Sequence, residues 1–208
     1  MKLARTTLLG MFLIALALGA GCSNPADDKP VAKVGDETQT APASTGVKYT
    51  FAEGSKISFT GSKVTGSHDG GFNSFTGDIM VADGDPSRSR VIVEIELDSV
   101  WSDHPKLTEH LKSTDFFAVD YYKLSTFNSS KIVKEGEQYS VTGNFQLHGV
   151  VRSITFPATI SVEPDKVTVN AEFVIKRFDF DIEFKGPADN LIRDEVVIKL
   201  DLIATPAE

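Results

Sequence analysis

Four histidines, His68, His104, His110 and His148, are the side chains of this sequence best suited to metal binding or proton transfer. Their spacing argues against both. His104 and His110 are six positions apart, which puts them on different faces of a helix. No HExxH pattern and no paired histidine and carboxylate cluster surrounds any of the four. They read as solvated surface or helix-end groups. Nucleophilic catalysis has no better footing, because the chain lacks a G-x-S-x-G elbow and its serines fall at strand ends, where they cap turns. Gly66-Ser67-His68-Asp69-Gly70-Gly71 has the glycine content of a phosphate cradle. Neither a helix nor a Lys-Ser/Thr pair follows it, so it reads as a loop between strands. The sequence therefore predicts no enzyme, no metal site and no cofactor.

Cys22 is the only cysteine. A short basic start with Lys2 and Arg5 leads into the apolar run Leu8 to Leu18, and the small residues Gly19, Ala20 and Gly21 then precede Cys22. That order of charge, apolar run and small residues is a secretory signal, here over 1–21. A cysteine directly after the small residues resembles the bacterial lipobox, in which cleavage exposes a cysteine that is lipid-modified. Gly19 stands where that pattern prefers leucine. The apolar run is too short to span a bilayer, which takes about 20 residues. The expectation is export and lipid anchoring through Cys22. Ser23, rather than an aspartate, resembles the signal for the periplasmic side of the outer membrane in a two-membrane bacterium.

Residues 1–21 hold two basic and no acidic groups, so their removal takes the formal charge from −8 to −10. Such a chain is ill suited to nucleic acid or anionic headgroups, both of which need basic patches. From 22 to 46 the sequence is rich in proline and small polar residues and has no aromatic, so this stretch is expected to be a disordered, lipidated tether.

Beyond Val47 the period becomes two. Val91, Val93, Ile95 and Leu97 share one side of a segment. Tyr139, Val141, Gly143, Phe145 and Leu147 do the same, as do Val167, Val169, Ala171, Phe173 and Ile175. Alternation of this kind marks antiparallel strands with one buried face. Turn residues separate them at Asp83-Gly84-Asp85-Pro86, Glu135-Gly136-Glu137 and Glu163-Pro164-Asp165-Lys166. About eight strands are expected, near 47–53, 56–65, 73–81, 89–101, 122–134, 137–148, 152–163 with 166–178, and 193–204. One segment departs from the pattern. Pro105 opens a helix expected to run to Lys112, with Leu107 and Leu111 on one face, lying across one end of the sheet.

Arg177 continues the row of Phe173 and Ile175, so parity points it inward at the strand's end. Two readings stay open: a cation at a barrel mouth holding a ligand's polar head, or an ion pair with Asp179 or Asp181 that anchors a turn.

Three motifs, in this order, resemble those of the YceI-like family. They are Asp115-Phe116-Phe117 with Tyr121 through Ser129, Gly143 through Arg152 followed by Ile154-Thr155-Phe156, and Lys176-Arg177-Phe178-Asp179-Phe180-Asp181-Ile182. The likeness runs from Val47 to Ala204 and departs at Asp181, where the family has glycine, and near Tyr122, where it has proline. The resemblance implies an all-β fold over 47–205, a lipocalin-like antiparallel β-barrel with a short helix across one end. It also implies a polyisoprenoid, quinone-like or other amphipathic lipid chain bound inside. An eight-stranded barrel is either filled by its side chains or wide enough for one slim ligand. Bulky Phe145 and Phe173 stand beside Gly143, Ala158 and Ala171, which suits both outcomes. If hollow, the chain would meet Phe59, Phe75, Val93, Phe127, Phe145, Phe156 and Phe173, with Arg177 at the mouth. If filled, the domain would bind envelope proteins through its surface.

Overall fold

The computed structural model describes residues 24–39 and 45–207. The expected signal segment 1–21 and the expected lipid-attachment residue Cys22 lie outside them. Twelve strands occur among the described residues, and eleven of them make up eight staves. In chain order they are β1 (Lys33–Gly35), β2 (Val47–Phe51), β3 (Lys56–Lys63), β4 (Gly66–Phe72), β5 (Phe75–Ala82) and β6 (Asp85–Glu96). There follow β7 (Val100–Ser102), β8 (Leu124–Glu135), β9 (Gln138–Leu147), β10 (Val150–Glu163), β11 (Lys166–Lys176) and β12 (Ile192–Pro206). The antiparallel ladder runs β2-β5-β6-β8-β9-β10-β11-β12, and β12 pairs back onto β2 to close the barrel.

β3, β4 and β7 extend three of these staves. β3 continues β2 along β12, β4 pairs β3, and β7 pairs β4. The staves bend at residues 52–55, at Asn73-Ser74 and at the single helical turn Leu97–Ser99. The expected eightfold count is therefore met with a different division. Segments 47–53 and 56–65 form one bent stave, and Gly66–Phe72, expected as a loop, is a strand. Gly71 is needed there: a Cβ would lie 2.7 Å from the Ile57 carbonyl oxygen and 3.0 Å from the Trp101 indole nitrogen.

The helix α1 spans Pro105–Lys112, as the sequence predicts, with Pro105 at its first turn and Leu111 buried. It lies in the connection between β7 and β8, with Phe116 and Phe117 just beyond it turned into the core. At the opposite end the strands meet in tight hairpins. Asp83 and Gly84 both have positive φ, the backbone that a two-residue turn between right-twisted strands requires.

The expected disordered tether is corrected over much of its length. Residues 24–38 form a strap on the barrel wall. β10 pairs β11 only over Thr159–Glu163, and above that the two strands part. The strap fills the space. Lys33, Val34 and Gly35 pair with Thr155, Ile154 and Ser153. The Ala32 amide donates to the Val174 carbonyl at 2.8 Å, and the Val174 amide donates to the Pro30 carbonyl at 2.9 Å. Thr38 and Asn144 exchange hydrogen bonds of 2.9 and 2.6 Å, and Lys29 meets Glu172 at 2.7 Å. Ala26 covers Val174 and Val197 on the outer face. Little apolar bulk is involved. Backbone pairing and small residues hold the strap, so a composition argument built on apolar content misses it.

Candidate functional site

Alternation sends one side of every stave inward, and these side chains enclose a cavity of about 200 Å³. Its wall holds Phe59, Val93 and Phe127, together with Phe145, Phe156 and Phe173. Leu111, Phe116 and Phe117 bring α1 and its following turn into the same wall. The rings interlock: Phe156 stacks on Phe173 at 4.2 Å between centroids, and Phe145 meets Phe180 edge-on at 5.2 Å.

Phe75, expected in the lining, is not part of it. It packs edge-on against Phe51 at 6.2 Å, and Phe51 lies so close to Gly77 that a Cβ there would come within 2.3 Å of its ring. Gly143 does not supply open space either. The Phe127 ring occupies the place its Cβ would take, at 2.5 Å. The room comes from the irregular upper half of the barrel, where β6 breaks into β7 and where β12 bulges against β3. Ile192 pairs with Lys63 and Val196 with Gly61, four steps on one strand against two on the other.

Arg177 is buried, 4% exposed, and contributes to the cavity wall. The ion pair with Asp179 or Asp181 is corrected, because neither acid touches it. Its Nε donates to the Arg193 carbonyl at 2.9 Å, and its two terminal nitrogens donate to the carbonyls of Ile182 and Ile192 at 2.6 and 3.2 Å. The guanidinium thus holds the bulge of β12 and the turn Arg177–Phe180 together. Its carbon sits 4.5 Å from the centre of the Phe178 ring. Burial lowers its pKa and the charge of Asp194 partly opposes that, but an arginine stays cationic throughout the physiological range. Asp181 ends the turn at φ +56, the left-handed backbone that glycine adopts most readily and aspartate tolerates. That accounts for the aspartate at this position.

Sequence reasoning missed Ser62 and Arg193, which also line the cavity. Both lie at the bulge, which no alternation pattern announces. Among the described residues no group of three or more histidine, cysteine, aspartate or glutamate side chains gathers in a way that could hold a metal ion. No helix among them is long and apolar enough to cross a membrane.

A closed antiparallel barrel of eight staves around an apolar chamber is a lipocalin-like architecture. The YceI-like domain model matches residues 49–204, and the chain belongs to that family. A UPF0312 protein of Pectobacterium carotovorum is 32% identical over 139 residues, covering 64% of this chain and 71% of the relative. Protein YceI of Salmonella arizonae is 32% identical over the same length, covering 64% and 72%. Among solved structures, Burkholderia cenocepacia BcnA superposes with a TM-score of 0.64 at 26% identity, over 73% of this chain and 96% of that one. A polyisoprenoid binding domain from Saccharophagus degradans gives 0.64 at 19% identity, over 78% and 100%, a likeness of fold.

Proposed function

We propose that this protein is a non-catalytic carrier that takes a polyisoprenoid, quinone-like or other amphipathic lipid chain into its barrel, exported and anchored to the cell envelope through an acylated Cys22. The observation that carries the reading is the aromatic-walled cavity inside a closed barrel. The Saccharophagus neighbour, described as a polyisoprenoid binding domain, supports the ligand class. Affinity would come from burial, about 0.8 kcal/mol per methylene, less the cost of ordering the chain. The cavity is smaller than the roughly 300–1,000 Å³ of ordinary ligand sites, which favours a slim chain over a bulky ring system.

The test is extraction of the purified protein with organic solvent, followed by mass spectrometry. An isoprenoid or fatty chain in stoichiometric amount is the expected result. A protein that yields none, and that takes up no added isoprenoid, would instead be a surface-binding module. The anchor is tested separately. Labelled palmitate should enter wild type and not Cys22→Ala, and a wild type left unlabelled beside a labelled control lipoprotein rules it out.

A further inference from the structure

One seam of the barrel is closed by a segment that belongs to neither of its strands. β10 pairs β9 from Val150 to Ala158 and β11 pairs β12 from Val167 to Lys176, but β10 and β11 pair each other only over Thr159–Glu163. Above that ladder the strap stands between them. Its Lys33–Gly35 pair β10, and its Val31 bridges Val174 of β11 in parallel. On either side of it, Ile154, Phe156, Phe173 and Ile175 line the cavity. Ala32 of the strap joins the core cluster that holds the same four residues. In this sector the strap is the wall of the chamber.

It is also a piece of wall that opens with little loss of packing. Its buried side chains are two alanines, Ala26 and Ala32, while Val31 and Val34 stand exposed. Lifting α1 and its following turn instead would draw the buried Leu111 and Phe116 out of the core. The cost of a local opening grows with the apolar surface it uncovers, so the strap gives way first. Its withdrawal breaks no hairpin, because it precedes β2 in the chain, and the β10–β11 ladder stays in place beneath it. Two strands that flank a third stand about 9.5 Å apart, so the slot left would be roughly 5 Å wide. That is the gauge of a hydrocarbon chain. We propose that the seam between β10 and β11 is the port through which the lipid chain enters and leaves the chamber, and that residues 30–35 are the shutter that closes it. The inference rests on the reading that a lipid chain occupies the cavity, and it adds the route.

The experiment times exchange with the shutter fixed or loosened. Lys33 and Thr155 are antiparallel partners, close enough for a disulfide, so Lys33→Cys with Thr155→Cys can lock the strap to β10. Val133→Cys with Ser140→Cys makes the same cross-link at the β8–β9 seam, as a control. Peptide mass mapping confirms that the added cysteines, and not Cys22, are joined. Full-length protein is held on a resin, and uptake of tritiated geranylgeraniol and its chase by unlabelled alcohol are followed. Oxidation of the strap pair should slow uptake and release alike, by about tenfold or more, with the dissociation constant unchanged. The reduced pair and the oxidised control should exchange as wild type does. Asn144→Ala, which removes the bonds that hold Thr38, should speed both rates severalfold. Rates unmoved by the strap cross-link, or slowed as much by the control, overturn the port and leave the chain-binding reading intact. A wild type that takes up no label overturns the chain-binding reading, and the port with it.

Discussion

The two halves of the barrel share the same staves and treat them differently. At the hairpin end Ile79, Val81, Val167 and Ala204 are at most 3% exposed, and the space left among the side chains there is about 10 Å³. That is room for about one water molecule. Tyr49 adds to this floor, its hydroxyl shared between the carbonyls of Glu163 and Pro164 at 3.3 Å each. At the other end α1 and the turn Arg177–Phe180 interrupt the meander, β12 bulges, and the chamber is about 200 Å³. Regular pairing with two-residue turns lets inward side chains meet and close. Backbone irregularity holds them apart, so close packing is concentrated in the regular half and open space in the irregular one.

The contrast can be broken most directly at the floor. Ile79→Ala should cost about 2–5 kcal/mol in urea unfolding, since it opens a void that close neighbours cannot fill. Its deficit against wild type should be the same with and without an added isoprenoid. Phe145→Ala, in the half-buried wall of the chamber, should cost less than the about 3–5 kcal/mol of a fully buried phenylalanine. That deficit should shrink when lipid is added, because the enlarged chamber accepts the chain and a ligand confined to the folded state stabilises it. Should both deficits respond to lipid alike, the division into floor and chamber is wrong.

A smaller effect is expected at the seam between β10 and β11. Ala26→Asp places a charge against Val174 and Val197 and should release the strap at a cost of about 1 kcal/mol. Hydrogen exchange at the amides of Ala32 and Val174 should then quicken while that of Val93 stays protected. The smallest effect lies near α1. Burial alone would raise the pKa of Asp103, but hydrogen bonds from His68 and the Asp69 amide, with the nearby histidine charges, bring it below its ordinary value of 3.8. A lowered carboxyl contributes stability above its unfolded value and loses it as pH falls through the folded value. The stability gap between wild type and Asp103→Asn, followed by acid titration, should therefore close only below about pH 4.

Much of this fold is legible in the sequence where burial falls on one face. β8 to β12 follow from alternation, and α1 follows from Pro105 and the Leu107–Leu111 pair. β4 is not legible, because Gly66, Gly70 and Gly71 have no side chain to alternate; at Gly70 and Gly71 the neighbouring strand and Trp101 leave no room for one. The strap left a trace that alternation arguments pass over. Phe173-Val174-Ile175 and Val196-Val197-Ile198 are apolar on both faces, the mark of strands covered on both sides. Most of the chamber's wall was readable from parity. Phe75 was not, because its place is set by Phe51 filling the space over Gly77, and Ser62 and Arg193 depend on a bulge that only the pairing register reveals.

The strap also bears on where the barrel can travel. A flexible leash of the length expected from 22 to 46 would let a domain wander about 25–30 Å from its attachment point. Asn24 already belongs to the docked segment, and the two residue steps from Cys22 reach at most about 7 Å. If Cys22 is acylated, as proposed, the barrel cannot roam, and the side nearest the attachment point is the one where Ala26 covers Val174 of β11 and Val197 of β12.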